Sequence, residues 1–145
     1  MQLVHRVAED GERRRAESLA ASERRVAQCE AKLSELESYQ ANYANEFTKR
    51  ATLGIAGVGL REYQAFLGRL AEAVRQQGEL LARARVERDA QRQQWQGAAQ
   101  RTDIIGKVVE RGRSLEQREH EAQEQRDSDE RAQNGTGRID ASRTQ

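Results

Sequence analysis

Apolar residues recur along this chain at the alternating three- and four-residue spacing of a heptad repeat, in two separate stretches. In such a repeat the first and fourth positions, called a and d, form the seam between two helices. The first stretch holds Leu19, Ser22, Val26, Cys29, Leu33, Leu36, Gln40, Tyr43 and Phe47. The second runs through Leu60, Tyr63, Leu67, Leu70, Val74, Gln77, Leu81, Ala84, Arg88, Gln91, Trp95, Ala98, Thr102, Ile105 and Val109. The pattern predicts two long coiled-coil helices and no globular core.

A glycine-rich segment between the two repeats predicts a turn. It carries Gly54, Gly57 and Gly59. Glycine tolerates the backbone angles at which helices end, so we expect Gly54 to end the first helix and Gly59 to open the second. Two seams on either side of a turn predict a helical hairpin.

The second helix is predicted to extend past its partner. From Leu115 to Arg131 almost every residue is charged or glutamine, so this stretch has little to bury. The last residues are polar and include Gly135 and Gly137, which is typical of disorder. We expect an all-α fold: a long antiparallel two-helix coiled-coil hairpin with an overhanging C-terminal helix and a disordered tail. The hairpin takes residues 1–132, with helix one over about 2–50, a turn over 51–59 and helix two over about 60–126, and the tail takes residues 133–145.

The pairing of the helices follows from the rule that a positions face d positions in an antiparallel coiled coil. Folding about residue 55 places every a opposite a d, for example Phe47 opposite Tyr63. Folding one heptad earlier or later moves the centre near residue 51 or 58, which fits the glycine segment less well, although both remain open. The chosen register also puts Arg15 opposite Trp95, where a cation–π contact is expected.

The doublets Ile104–Ile105 and Val108–Val109 give helix two an apolar face wider than one seam needs. Leu3, Val4 and Val7 are the expected partners in helix one, but their frame is one residue away from that of the Leu19 series. Either a local stutter in the repeat or a second docking surface would explain the mismatch, and we favour the stutter.

Composition narrows the classes of function. The chain has 25 basic and 24 acidic residues, interleaved, and a net charge of +1, which argues against electrostatic binding of nucleic acid. It contains no proline, as suits long helices. No signal peptide and no window near the roughly 20 apolar residues of a membrane span are found, so we expect a cytoplasmic protein.

The sequence holds no recognisable catalytic or metal constellation. His5 and His120 lack the neighbouring Cys or carboxylate spacing of a metal site. The glycines near residue 55 lack the Lys-Ser or Lys-Thr that follows a phosphate-binding loop. Cys29 falls on the seam, where a thiol fills apolar space. We therefore expect no enzymatic activity, no cofactor and no metal.

The candidate binding residues are aromatic side chains beside the seam. Tyr39, Phe66 and Ala73 each precede an a position and so occupy g positions, which antiparallel pairing places on one side. We expect Tyr39 and Phe66 to lie together near the turn and to form a docking patch with Leu36, Tyr43 and Leu70 at its edge. The alternative is that these rings merely widen the seam.

One family is similar around the turn. The residues that carry the likeness are Tyr39-Gln40 with Tyr43, then Tyr63-Gln64-Ala65-Phe66-Leu67, followed by Leu70, Ala73 and Val74. They resemble the flagellar type III export protein FliJ family over about residues 1 to 130 in layout, most specifically over Leu36 to Gln77. The glycine-rich turn departs from the family pattern.

The resemblance implies a non-catalytic protein of flagellum biogenesis and motility, located in the cytoplasm, peripherally at the inner face of the cell membrane at the flagellar base. It implies a stalk that inserts into the hexameric export ATPase ring, promotes ring assembly, contacts the transmembrane export gate protein and recycles export chaperones. The gate-contacting residues would be Leu36, Tyr39, Tyr43, Phe66, Leu70 and Ala73. A stalk protein of a virulence-type injectisome, or a coiled-coil scaffold unrelated to export, remains an alternative.

Overall fold

Two α-helices account for nearly all of the chain that the structure describes. The structure is a computed structural model that describes residues 1–54 and 57–143. Helix α1 spans Gln2–Thr52 and helix α2 spans Gly57–Arg143. No strand occurs within the two described ranges. The predicted all-α hairpin is therefore confirmed.

Gly54 ends the first helix, as its position predicts. It is the glycine with a positive φ, 76°, in the described part of the chain, and its N–H donates to the carbonyl of Ala51 at 3.3 Å. A left-handed residue after the last helical turn satisfies a carbonyl that the helix leaves without a partner. A side chain at Gly54 would be strained by this backbone angle.

The ends of helix α2 differ from the predicted ones. Helix α2 begins at Gly57 rather than at Gly59 or Leu60, and it continues to Arg143 rather than ending near Arg126. The side chains from residue 128 to residue 138 are exposed, so packing does not support this part of the helix. The disorder predicted for the tail rested on its polar residues and on Gly135 and Gly137. Residues 55 and 56 of the predicted turn, and residues 144 and 145 of the predicted tail, lie outside the described residues.

The larger of two compact units comprises Asp10–Ala99, and its helices pair in the predicted antiparallel register. Phe47 stacks on Tyr63 with ring centroids 5.7 Å apart. Farther from the turn, Glu30 and Arg85 form an ion pair between the helices at 3.3 Å. These contacts agree with folding about residue 55.

The core of this unit is a narrow apolar seam. Val26, Leu81 and Ala84 are buried in contact with one another, with Cys29 and Leu33 packed against them. Burying a large aliphatic side chain contributes about 1.5–3 kcal/mol, so these few layers hold the helices together. Two buried polar residues share the seam: Ser22, whose hydroxyl donates to the Leu19 carbonyl, and Gln77, whose amide donates to the Cys29 carbonyl at 3.3 Å.

The smaller unit comprises Met1–Glu9 and the part of α2 from Gln100 onward. The same register holds within it: the Thr102 hydroxyl donates to the Ala8 carbonyl at 3.1 Å. Ile105 and Val109 are half-buried, whereas their neighbours Ile104 and Val108 are exposed.

The stutter favoured from the sequence is therefore wrong. Leu3, Val4 and Val7 are exposed and do not fill the seam as partners of the α2 doublets. Consecutive residues of an α-helix point about 100° apart, so only one member of each doublet can enter a single seam. The seam keeps its frame and leaves the other apolar residues on the surface.

Candidate functional site

Four aromatic rings form a connected cluster between the helices near the turn. Tyr43 meets Phe66 edge to face with centroids 5.1 Å apart, and Tyr63 lies 6.3 Å from Tyr43 and 6.4 Å from Phe66. Phe47 closes the cluster by stacking on Tyr63. Such ring pairs contribute about 0.5–1.5 kcal/mol beyond the area they bury. The cluster therefore fixes the two helices against each other at this point.

Tyr63 ties the cluster to α1 through its hydroxyl. The phenol donates to the backbone carbonyl of Tyr43 at 3.0 Å and lies 3.3 Å from a carboxylate oxygen of Glu46. The guanidinium of Arg50 stands over the ring, 5.2 Å from its centroid. Partial burial raises the pKa of Tyr63, the Glu46 carboxylate raises it further, and the Arg50 charge opposes both. Tyr63 stays neutral and serves as a structural donor.

Tyr39 stands outside this cluster, one helical turn before Tyr43. Its ring is 47% exposed, and its hydroxyl donates to a Glu35 carboxylate oxygen at 3.0 Å. That hydrogen bond and the carboxylate charge raise the pKa of Tyr39. The ring contacts of Phe66 are with Tyr43 and Tyr63. Tyr43 therefore separates Tyr39 from Phe66, which the sequence placed side by side.

The six residues predicted to bind a partner differ in exposure. We call this set, Leu36, Tyr39, Tyr43, Phe66, Leu70 and Ala73, the aromatic surface. Tyr39 and Tyr43 are the exposed members, while Leu36, Phe66 and Ala73 are half-buried. Leu70 is buried in the seam, with 9% of its surface accessible. The tyrosines therefore give a partner the largest accessible area.

Sequence reasoning missed Leu80, which continues the aromatic surface along α2. Leu80 precedes the seam residue Leu81 and so occupies the g position that follows Ala73 by one heptad. Its side chain is 49% exposed. Extending the g series by one heptad would have revealed it.

An ion-pair network stiffens α2 away from the g positions. Arg75 donates to Glu72 through Nη2 at 2.5 Å and Nε at 2.9 Å, and to Glu79 through Nη1 at 2.7 Å. The hydrogen bond from Arg75 lowers the pKa of Glu72. All three side chains are at least half exposed, so the network supports helix formation rather than a reaction.

The arrangement of the exposed tyrosines suits protein binding. Within the described ranges, no three His, Cys, Asp or Glu side chains are placed to hold a metal ion. None of the described helical stretches is long and apolar enough to cross a membrane. Exposed tyrosines beside a rigid seam are typical of protein interfaces, where aromatic residues supply much of the affinity.

Comparison with known proteins identifies the family. The family model for the flagellar FliJ protein matches residues 1–138. The curated proteins and the solved structures give no significant match. The matched region includes both helices up to residue 138 and the whole aromatic surface. The chain therefore belongs to the flagellar FliJ family.

Proposed function

We propose that this protein acts as a stalk in the flagellar type III export apparatus. It inserts into the hexameric export ATPase ring, promotes assembly of that ring, and links the ring to the cytoplasmic part of the transmembrane export gate. Membership of the flagellar FliJ family supports a role in flagellar export. The same membership favours the flagellar system over a virulence-type injectisome and over a scaffold unrelated to export.

The observation that carries the gate contact is the exposure of the aromatic surface. Tyr39 and Tyr43 remain 47% and 37% exposed, and both lie within the region that the family model matches. Truncating an aromatic side chain at the centre of an interface commonly costs about 1–3 kcal/mol of binding energy. We assign the gate contact to this surface, with Leu36, Phe66, Leu70 and Ala73 supporting the two tyrosines.

The protein has no catalytic role in this proposal. It works in the cytoplasm, at the inner face of the cell membrane at the flagellar base, and reaches the membrane only through its partners. Recycling of export chaperones is part of the same proposed role. The protein needs no cofactor in this role, because the export ATPase hydrolyses ATP and the stalk only contacts its partners.

Motility and gate binding test the proposal together. A deletion strain should lose swimming and regain it with the native gene. Tyr39→Ala should weaken binding to the purified cytoplasmic part of the gate by about 5- to 150-fold, which corresponds to 1–3 kcal/mol. Its helicity by circular dichroism should match that of the native protein, because the ring is half exposed.

Val86→Ala provides the matched control. Val86 lies in the same unit and is 70% exposed, but it occupies an outward f position rather than a g position. It should bind the gate as the native protein does. Unchanged binding by Tyr39→Ala would refute the gate contact. A protein that captures neither the ATPase nor the gate would indicate a scaffold, and intact swimming with lost effector secretion would indicate an injectisome.

A further inference from the structure

The smaller unit has two distinguishable sides. His5 and Ala8 of α1 and Thr102, Ile105 and Val109 of α2 are half-buried along its seam. In an antiparallel pair, the g and c positions of both helices lie on one side of the seam and the e and b positions lie on the other. The Thr102–Ala8 hydrogen bond agrees with this register, which places the g, c, e and b residues of the unit on one side or the other.

The g and c side carries five exposed aliphatic residues. Each of them is 41% to 64% exposed, and they come from both helices: Val4, Val7, Ile104, Val108 and Leu115. The e and b side carries polar or small residues over the same length. They are Gln2, Arg6, Glu9, Asp103, Gly106, Glu110 and Arg113. Five apolar residues that the seam does not use are therefore gathered on one side, whereas Leu3 lies at an outward f position.

The same side is basic. Between residues 100 and 118, the g and c positions of α2 hold three arginines alternating with the three aliphatic residues: Arg101, Ile104, Val108, Arg111, Leu115 and Arg118. No acidic residue occupies a g or c position in that stretch, because Asp103 and Glu110 fall on b positions and Glu116 falls on an a position. A chain whose charges otherwise nearly cancel thus concentrates positive charge beside exposed aliphatic side chains.

We propose that this apolar–basic surface binds an amphipathic helix of another protein whose apolar stripe is flanked by Glu or Asp. The surface is the g and c side just described: Val4, Val7, Arg101, Ile104, Val108, Arg111, Leu115 and Arg118. Branched aliphatic residues at heptad spacing accept the side chains of a third helix. A shallow groove of about 320 Å³ beside Leu115, lined by Arg111, Ser114 and Arg118 together with Glu110, gives such a side chain room.

The composition of the surface favours a protein helix over a lipid surface. Arginine binds a carboxylate through two parallel N–H bonds, a geometry suited to Glu and Asp. Side chains that settle at a membrane interface are rich in tryptophan and phenylalanine, whereas this chain has no aromatic residue after Trp95 or before residue 39. The inference stands on the smaller unit alone and does not rest on the proposed gate contact.

Binding of a designed peptide to the full-length protein tests the proposal. The probe is a fluorescently labelled amphipathic helix of about three heptads, with leucine at a and d and glutamate on the flanking positions. Fluorescence anisotropy should show saturable binding that weakens as salt is added. Arg111→Glu and Ile104→Ser should each raise the Kd about tenfold or more. Ile104 is 60% exposed, so Ile104→Ser should keep the native helicity.

Arg113→Glu is the matched control, because it makes the same charge change on the e and b side. It should leave the Kd within about twofold of the native value. Equal weakening by Arg113→Glu and Arg111→Glu would overturn the proposal, as would equal binding of a peptide with lysine in place of glutamate. Tyr39→Ala should bind the peptide normally, which separates this result from the gate experiment.

Two further measurements exclude other occupants. Vesicles of phosphatidylglycerol that bind the native protein but not Ile104→Ser, with no binding of the peptide, would show a lipid surface and overturn the proposal. Concentration-dependent dimerisation in analytical ultracentrifugation that Ile104→Ser abolishes would show a second copy of the chain and would also overturn it. The proposal is supported if the native protein is monomeric and binds the acidic peptide but not the vesicles.

Discussion

Leu80 and Leu81 are adjacent leucines of α2 with opposite surroundings, and replacing each by alanine gives a direct test of the seam. Leu81 is 6% exposed and packs against Val26 and Ala84. Leu80 is 49% exposed on the g side. The two substitutions remove the same atoms from neighbouring positions of the same helix, so helix propensity contributes equally to both.

The difference in burial sets the expected magnitudes. Replacing a buried leucine by alanine costs about 2–5 kcal/mol, with the low end applying where neighbours can close the space. A two-helix seam is open at its sides and can partly close, so Leu81→Ala should lower the free energy of unfolding by about 2–3 kcal/mol. Leu80→Ala leaves no cavity and removes about half as much buried area, so about 0.5–1 kcal/mol is expected.

Urea denaturation followed by circular dichroism measures both values. The slope of free energy against urea should be the same for the two variants, because the surface exposed on unfolding hardly changes. The urea midpoint should therefore fall markedly for Leu81→Ala and slightly for Leu80→Ala. Native gate binding by folded Leu81→Ala, with weakened binding by Leu80→Ala, would further indicate that Leu80 belongs to the aromatic surface.

A reversed order would refute the register. If Leu80→Ala destabilised the protein as much as Leu81→Ala or more, the seam would lie on the g side and every assignment of a residue to a side would be wrong. Equal, small effects would mean that the layer around Leu81 contributes little to stability.

Four further substitutions probe a buried glutamine, two glycines and a tyrosine. Gln77→Leu should raise the free energy of unfolding by about 1 kcal/mol, because the buried amide keeps only a long bond to the Cys29 carbonyl; a lower urea midpoint would contradict this. Gly68→Ala should stabilise the protein by about 0.5–1 kcal/mol in the same assay, since a Cβ there meets nothing within 4 Å. Gly106→Ala should stabilise the protein less than Gly68→Ala, because the added Cβ would lie 3.2 Å from Nε2 of His5. The raised pKa of Tyr63 favours the neutral phenol in the folded state, so stability should be level below about pH 10 and fall above it, and Tyr63→Phe should reduce that fall.

The seam could be predicted because its period depends only on the order of residues. The a and d positions near the core, Val26, Leu81 and Ala84, are the ones found buried, and Gly54 has the backbone angle expected at a helix end. Helix ends were harder to predict. Glycine permits a turn at any of several neighbouring positions, and a charged stretch without tertiary contacts carries no signal for where a helix stops.

Long side chains at the seam were predicted less well, because their contacts depend on rotamers. Arg15 was expected over the Trp95 ring, but its guanidinium donates to the side-chain oxygen of Gln94 at 2.5 Å. A flexible side chain that faces a seam reaches several neighbours on the opposite helix, and the heptad pattern does not choose among them.

The separation of Tyr39 from Phe66 follows from the register itself. Folding about residue 55 places residue 44 opposite Phe66, so Tyr43 is the nearest ring of α1. Assigning Tyr39 and Phe66 to g positions predicts the side of the seam on which they lie, but it does not predict how far apart they lie along the helix axis. The same step-by-step reading of g positions identifies Leu80 as the next exposed member.

This geometry divides the aromatic surface into residues that hold the helices and residues that a partner can reach. Phe66 contacts Tyr43 and Tyr63, so Phe66→Ala should cost about 1–2 kcal/mol of stability and also release Tyr43 from its packed position. Phe66→Ala would remove one side chain of the aromatic surface and would also displace Tyr43. Lost swimming in that variant would therefore not show which of the two changes was responsible. Tyr39→Ala removes an exposed ring and leaves the cluster intact. Weaker gate binding by Tyr39→Ala at unchanged stability would therefore locate the contact on the exposed tyrosines, whereas an effect confined to Phe66→Ala would indicate that the cluster only keeps the hairpin rigid.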